Sequence, residues 1–341
     1  MRILLVTNFP APYRLPFYNE MGNKLGEKFF VIYTDTEVEG HHWQIPHLNH
    51  PHHFIKKGEN IIEIAKRFSA NLVILGGVNK HTLKLFLFAK RNKIKISIFT
   101  DMWQLPVSKL SKSSQVLRKF LYRRSDHFIV PGIKSAKHVE EIIDEHRSKK
   151  ISVLPFIPQN SNFPFTLSTE KDKEFDLLFS GQIIARKLPL FFVEVAAKVN
   201  RIRKIKVLIL GEGPLKVEMQ KQLTESGINH TFAGYISQDR LQSLYHTGRV
   251  LLFPTENDPW GIVANEALSA GVPVIISPHA GAADDLIISG KNGFVLENDV
   301  DLWAEKAIEI LEGKHKFEFD TPPNIERVVD DLLKSLSCLV N

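Results

Sequence analysis

Short apolar, β-prone runs recur along the first half of the chain, at residues 2–7, 29–34, 71–76, 95–100, 127–132 and 151–156. Between them lie longer stretches with apolar positions at helical spacing, the first starting near Leu15. Strand and helix patterns in alternation predict parallel strands joined by helical crossovers, a doubly wound α/β sheet. The pattern lapses into polar, proline-bearing residues over 158–175. It restarts at 176–181, 206–213, 230–235, 249–255, 272–277 and 293–298. A second α/β domain is therefore expected from near Asp176, with bounds drawn at 1–165 and 166–323. Over 324–341, Val328, Val329, Leu332, Leu333 and Leu336 fall on one helical stripe, which predicts a closing helix packed back on the first domain. Two Rossmann-like domains in tandem imply a cleft faced by the carboxyl ends of both sheets, and ligands are expected there.

Composition adds limits. With 341 residues, 43% hydrophobic and 24% charged, the chain is long enough for two cores. Its one cysteine, Cys338, excludes an internal disulfide and a multi-cysteine zinc site and suits a reducing, cytoplasmic setting. The N-terminal apolar run is too short for a signal peptide and no small-residue cleavage site follows it. No run approaches the roughly 20 apolar residues that cross a bilayer. Charge is uneven: residues 1–150 carry 25 Lys and Arg against 13 Asp and Glu, a net +12, and the remainder is −6. A basic half of this kind suits an anionic partner, and phospholipid, nucleic acid and acidic glycolipid all remain open on charge alone.

The segment 251–277 carries most chemical information. It reads as a buried strand, a polar loop, a helix opening at about Trp260 or Gly261, a stop at Gly271 and another strand. The opening amides at Gly261, Ile262 and Val263, with the helix dipole, make an anion site suited to a diphosphate. Asp258 precedes that turn. Glu266, four residues after Ile262, falls one turn along the same face, where a carboxylate can accept hydrogen bonds from a sugar or ribose diol. Simple helix capping is the competing reading of these acids.

This segment resembles the donor-binding motif of glycosyltransferase family 4, retaining enzymes of the GT-B fold. Asp258 and Glu266 keep the family's acid pair eight apart, with Pro259, Trp260 and Gly261 following the first acid. The resemblance implies that Glu266 holds the donor ribose and that Asp258, a methylene shorter than the usual glutamate, approaches the transferred sugar. Residues 177–196 resemble the phosphate-binding loop: Lys187 matches its lysine, Gln182 stands where arginine is common, and Gly181 and Arg186 lie beside them. Gly211, Gly213 and Pro214 resemble the family's Gly-x-Gly-Pro loop, and residues 232–247 its base-pocket strand, with the backbone at Tyr235 and Ile236 meeting the base. The loop 7–20 resembles a variant in enzymes of polysaccharide and lipopolysaccharide assembly, which would place Tyr13 and Arg14 in the cleft. Asp101 stands near a position where the family often has histidine and is a candidate polar contact at the reaction centre.

The resemblance implies a retaining glycosyltransferase that moves a sugar from a UDP- or GDP-type donor to a glycan or lipid-linked acceptor. Lys187 and the helix amides would stabilise the departing diphosphate. No metal or other cofactor and no nucleic-acid partner is expected. A non-hydrolysing nucleotide-sugar epimerase and a non-catalytic nucleotide-sugar-binding protein are the alternatives. The histidine-rich stretch 40–54 lacks metal-ligand spacing and reads as an acceptor-facing loop, with Trp43 placed to stack on a sugar ring. Asp299 and Asp301 precede a helix and read as structural, as do Asp284 and Asp285. Residues 107–124 form a basic amphipathic pattern, with Leu117, Leu121 and Arg124 on one face and Lys112, Lys119 and Arg123 on another. That pattern suits peripheral contact with an anionic membrane, or an ordinary solvated surface.

Overall fold

A computed structural model describes residues 1–36, 47–103, 112–143, 150–158, 165–167 and 169–340. The chain divides into two compact units, Met1–Ile157 with Pro323–Asn341, and Pro158–Pro322. The second unit thus starts within the polar stretch, ahead of the position expected from the strand pattern.

The first unit runs β1 (Ile3–Thr7), α1 (Leu15–Leu25), β2 (Phe29–Tyr33), β3 (His52–Phe54), α2 (Ile61–Phe68), β4 (Leu72–Gly76), α3 (Lys80–Arg91), β5 (Lys95–Phe99), α4 (Lys112–Arg124), β6 (His127–Val130), α5 (Ile133–Ile143) and β7 (Lys150–Val153). Its sheet has the order β3-β2-β1-β4-β5-β6-β7, with parallel neighbours. The interior strand β1 is buried along its whole length, as a parallel strand covered on both faces must be. Helix starts are written locally. Asn60 caps α2 through the Ile62 amide, and Asn79 caps α3 in a reciprocal box with Thr82. The stretch read as a loop at 40–54 departs from that reading at its end: His52–Phe54 adds to the open edge of β2, satisfying backbone groups that a loop there would leave unpaired.

The second unit runs β8 (Phe175–Ser180), α6 (Pro189–Ile202), β9 (Lys206–Leu210), α7 (Lys216–Glu225), β10 (Asn229–Gly234), α8 (Gln238–His246), β11 (Gly248–Phe253), α9 (Ile262–Ser269), β12 (Val274–Ile276), α10 (Ala283–Leu286), β13 (Gly293–Val295) and α11 (Val300–Leu311). The order β10-β9-β8-β11-β12-β13, all parallel, reverses direction between β8 and β11. Successive strand residues feed opposite cores. Leu177, Val207, Val250 and Leu252 pack with α6 and α11, while Leu178, Leu208, Leu251 and Phe253 pack with α8 and α9. Asp299 caps α11 through the amides of Asp301 and Leu302, and Asp301 pairs with Lys198.

The last helix, α12 (Ile325–Val340), belongs to the first unit. Val329, Leu332 and Leu336 are buried there, Asp330 pairs with Lys24 of α1 at 2.9 Å, and Ser335 meets Ser152 of β7 at 3.1 Å. Among the described residues no helix is long and apolar enough to cross a membrane.

Candidate functional site

The β8/β11 reversal opens a crevice at the carboxyl ends of those strands, where doubly wound sheets hold their ligands. After β8 the chain passes Gly181, Gln182 and a 3-10 turn over Ala185–Lys187. This loop is locked to the loop after β9: Gly181 N donates to Leu210 O at 2.9 Å, and Ile183 N to Glu212 O at 2.8 Å. The approach is close enough that a Cβ on Gly211 would strike the Gly181 carbonyl, and one on Gly213 the carbonyl of Ile183. These two glycines therefore have a packing role whatever ligand they face.

Lys187 ends the turn buried, with 8% exposure, its ammonium ion-paired with Asp258 Oδ2 and 4.6 Å from the centre of the Phe253 ring. Arg186 Nη1 donates to the same Asp258 oxygen at 3.3 Å and to Asn257 O at 3.1 Å. Asp258 Oδ1 accepts from Trp260 N at 3.1 Å, so the carboxylate also shapes the entry to α9. Burial works against both charges. It pulls the Lys187 pKa down despite Asp258, whereas for Asp258 the opposing effect of Lys187 and Arg186 wins and holds the carboxyl below its usual value.

Gly261, not Trp260, stands at the helix mouth. Its φ of 100° belongs to the left-handed region that favours glycine, and a Cβ there would enter the Phe253 ring. The first amides of α9, at Ile262 and Val263, have no carbonyl one turn earlier to bind, which leaves them suited to an anion. Glu266 lies one turn on, buried, with Oε2 2.9 Å from the hydroxyl of Tyr245. Tyr235 and Ile236 follow β10; Tyr235 is 47% exposed and Ile236 packs on the core.

In the first unit, Arg14 is buried at the end of a 3-10 turn over Pro12–Arg14, with Nη2 3.1 Å from Asp101 Oδ2. Its guanidinium lies 5.0 Å from the Phe99 ring centre and 5.8 Å from that of Phe156, and Tyr13 meets Phe156 edge-on at 5.0 Å. Burial pulls the Arg14 pKa down, and Tyr13, Tyr18 and Asp101 outweigh it, so the side chain stays cationic. A small pocket lies among Tyr13, Arg14, Phe17, Phe99, Phe156 and Ile325. Trp43 lies outside the described residues.

The structure thus gathers Lys187, Arg186, Asp258 and Gly261 into one cluster, and Tyr13, Arg14 and Asp101 into another. Sequence reasoning passed over Tyr245, Ser180, Phe253 and Phe156. Ser180, Phe253 and Phe156 sit in apolar runs and Tyr245 in a largely polar helix, with no local pattern to mark any of them, and Tyr245 reaches Glu266 only through the packing of α8 on α9. Among the described residues no three His, Cys, Asp or Glu side chains gather as metal ligands. His50 is engaged by Tyr33 and Asn19, and His53 by Glu59.

Residues 165–321 match the model of the family described as glycosyl transferases group 1. The chain is 29% identical over 122 residues to an uncharacterized glycosyltransferase of Methanocaldococcus jannaschii, across 35% of this chain and 31% of that protein. It is 26% identical over 237 residues to the 2-deoxystreptamine N-acetyl-D-glucosaminyltransferase of Niallia circulans, across 68% of this chain and 59% of that one. The chain therefore spans less than two thirds of the length of either relative. In fold it is similar to Anabaena HepE solved with UDP and glucose, with a TM-score of 0.72 over 99% of this chain and 100% of that one, at 13% identity. That likeness is one of architecture, and the architecture is GT-B.

Proposed function

We propose that this protein, whose residues 165–321 match the group 1 glycosyl transferase model, transfers a sugar, with retention, from a nucleoside-diphosphate sugar to a glycan or lipid-linked acceptor. The observation that carries this reading is the buried Lys187–Asp258–Arg186 cluster beside the mouth of α9, with Glu266 one turn along the helix. In this reading the diphosphate lies on the α9 amides with Lys187 and Arg186, and Glu266 accepts from the ribose diol. Charge developing on the departing diphosphate meets cations and dipoles already in place, so the chemistry needs neither a metal nor a protein nucleophile. The donor phosphate itself takes the acceptor proton. HepE, of the same fold, holds UDP and glucose, which favours a UDP-type donor. Tyr13, Arg14 and Asp101 are assigned to the acceptor.

A thermal-shift panel of nucleoside diphosphates and their sugars tests donor binding, since a ligand at a hundredfold excess over its Kd stabilises the fold by about 2.7 kcal/mol. The cognate donor is expected to raise Tm in EDTA as much as in magnesium, and sugar transfer is expected to survive chelation. Activity abolished by EDTA and restored by manganese would refute the metal-free reading. Epimerised free donor, or binding without turnover, would point instead to an epimerase or a sensor.

We place the protein in the cytoplasm, in reversible contact with an anionic membrane through α4. Neither α3 nor α4 contains an acidic residue. Lys112, Lys119 and Arg124 are exposed on α4 together with Val116, and Arg124 lies 4.1 Å over the partly exposed Phe120 ring. Arg123, expected beside Lys112 and Lys119, is half-buried and donates to Ile142 O at 3.1 Å, and Arg124, expected on the apolar side, is exposed. Each basic residue at an anionic surface contributes about 1 kcal/mol, so three suffice for attachment that salt reverses. Sedimentation with anionic but not neutral liposomes at low salt is expected, with release on changing Lys112, Lys119 and Arg124 to Glu. Equal partition between the two liposome types, or no binding, would make α4 an ordinary surface helix.

A further inference from the structure

A hydroxyl relay lies beneath the α9 carboxylate. Tyr245, in the last turn of α8, has no exposed surface. Its hydroxyl is 2.8 Å from Ser180 Oγ at the end of β8 and 2.9 Å from Glu266 Oε2 on α9. A phenol has one proton to give, and an ionised carboxylate can only accept, so the tyrosine donates to Glu266 and in turn accepts from Ser180. The direction of the chain is thereby settled: Ser180 to Tyr245 to Glu266. Burial, with the Glu266 charge adding to it, pushes the Tyr245 pKa well up, so the phenol keeps its proton at every ordinary pH.

We propose that Tyr245 is a positioning residue: with Ser180 behind it, it fixes the rotation of the Glu266 carboxylate and so sets the preference for ribonucleotide over deoxyribonucleotide donors. The proposal rests on the reading of Glu266 as the acceptor for the ribose diol. A carboxylate turns easily about its terminal bond, and a diol is held well only when the oxygen facing it keeps one direction. With Oε2 tied to Tyr245, the carboxylate plane is set before the nucleotide arrives. The three groups come from β8, α8 and α9, the elements on either side of the sheet's reversal, so the relay also joins the phosphate loop to the ribose site.

Tyr245→Phe removes the hydroxyl and keeps the ring, which packs in the core with Leu178, Leu251 and Phe253. The test measures binding of the cognate nucleoside diphosphate and its 2′-deoxy counterpart to wild type, Tyr245→Phe, Glu266→Gln and the double variant by calorimetry. Tyr245→Phe is expected to weaken the ribonucleotide about tenfold and the deoxy form, which keeps only its 3′-hydroxyl for Glu266, by clearly less, so that the selectivity ratio falls. The double variant should lose no more selectivity than Glu266→Gln alone. Equal weakening of both nucleotides, or an unchanged ratio in Tyr245→Phe while Glu266→Gln lowers it, would overturn the positioning role. An unchanged ratio in Glu266→Gln would remove the diol reading itself, and the proposal with it.

Discussion

Lys187→Ala is expected to lower turnover by roughly two to three orders of magnitude, the loss typical when a preorganised group facing developing charge is removed. The donor KM should change less, because the α9 amides and Arg186 still meet the diphosphate in its ground state. The reason lies in the cluster's charge balance. Lys187 and Arg186 share one oxygen of a buried Asp258. Without Lys187 that carboxylate loses its buried counter-ion, keeping Arg186 and the Trp260 amide, and its negative charge is then turned on the leaving group. Asp258→Asn should act the other way on the product. A unit of like charge a few ångströms from a phosphate costs on the order of 1 to 4 kcal/mol, so its removal should tighten the free nucleoside diphosphate by about fivefold or more while transfer falls. Steady-state kinetics with product inhibition reads both effects. Wild-type kcat in Lys187→Ala, together with an unchanged inhibition constant in Asp258→Asn, would show that the diphosphate lies elsewhere.

Glu266→Gln should spare the fold and raise the donor KM by about 10- to 150-fold, the equivalent of a charge-assisted hydrogen bond worth about 1.5 to 3 kcal/mol. Glutamine has the same shape, and its carbonyl oxygen can still accept from Tyr245, so little packing is lost in a buried site. What disappears is the negative charge that holds the diol. Thermal unfolding should stay within a few degrees of wild type while the KM moves. An unchanged KM with the cognate donor would remove Glu266 from the site.

The inner strands of both sheets were legible because parallel strands covered on both faces must be apolar throughout, and runs such as Ile3–Thr7 and Leu72–Gly76 show it without help from distant residues. The helix entry at Gly261 was legible within one residue for a similar reason, since caps and glycines act within a turn. The edge strand His52–Phe54 was not. Three residues with two histidines have no strand signature, and what makes them a strand is the open side of β2.

For the site, the linear pattern determined which residue types stand at the crevice: a lysine after the β8 loop, an acid before α9 and another inside it. It carried no information on how those charges pair. That Asp258 takes up both Lys187 and Arg186, that Gly211 and Gly213 serve backbone packing, and that Glu266 is held through Tyr245 from Ser180 were decided only by the tertiary structure. The partners are separated by 72, 71, 65 and 21 residues along the chain. Capping and periodicity act within a few residues, whereas ion pairs and hydrogen bonds of this kind exist only where the sheet brings distant loops together and burial takes water away.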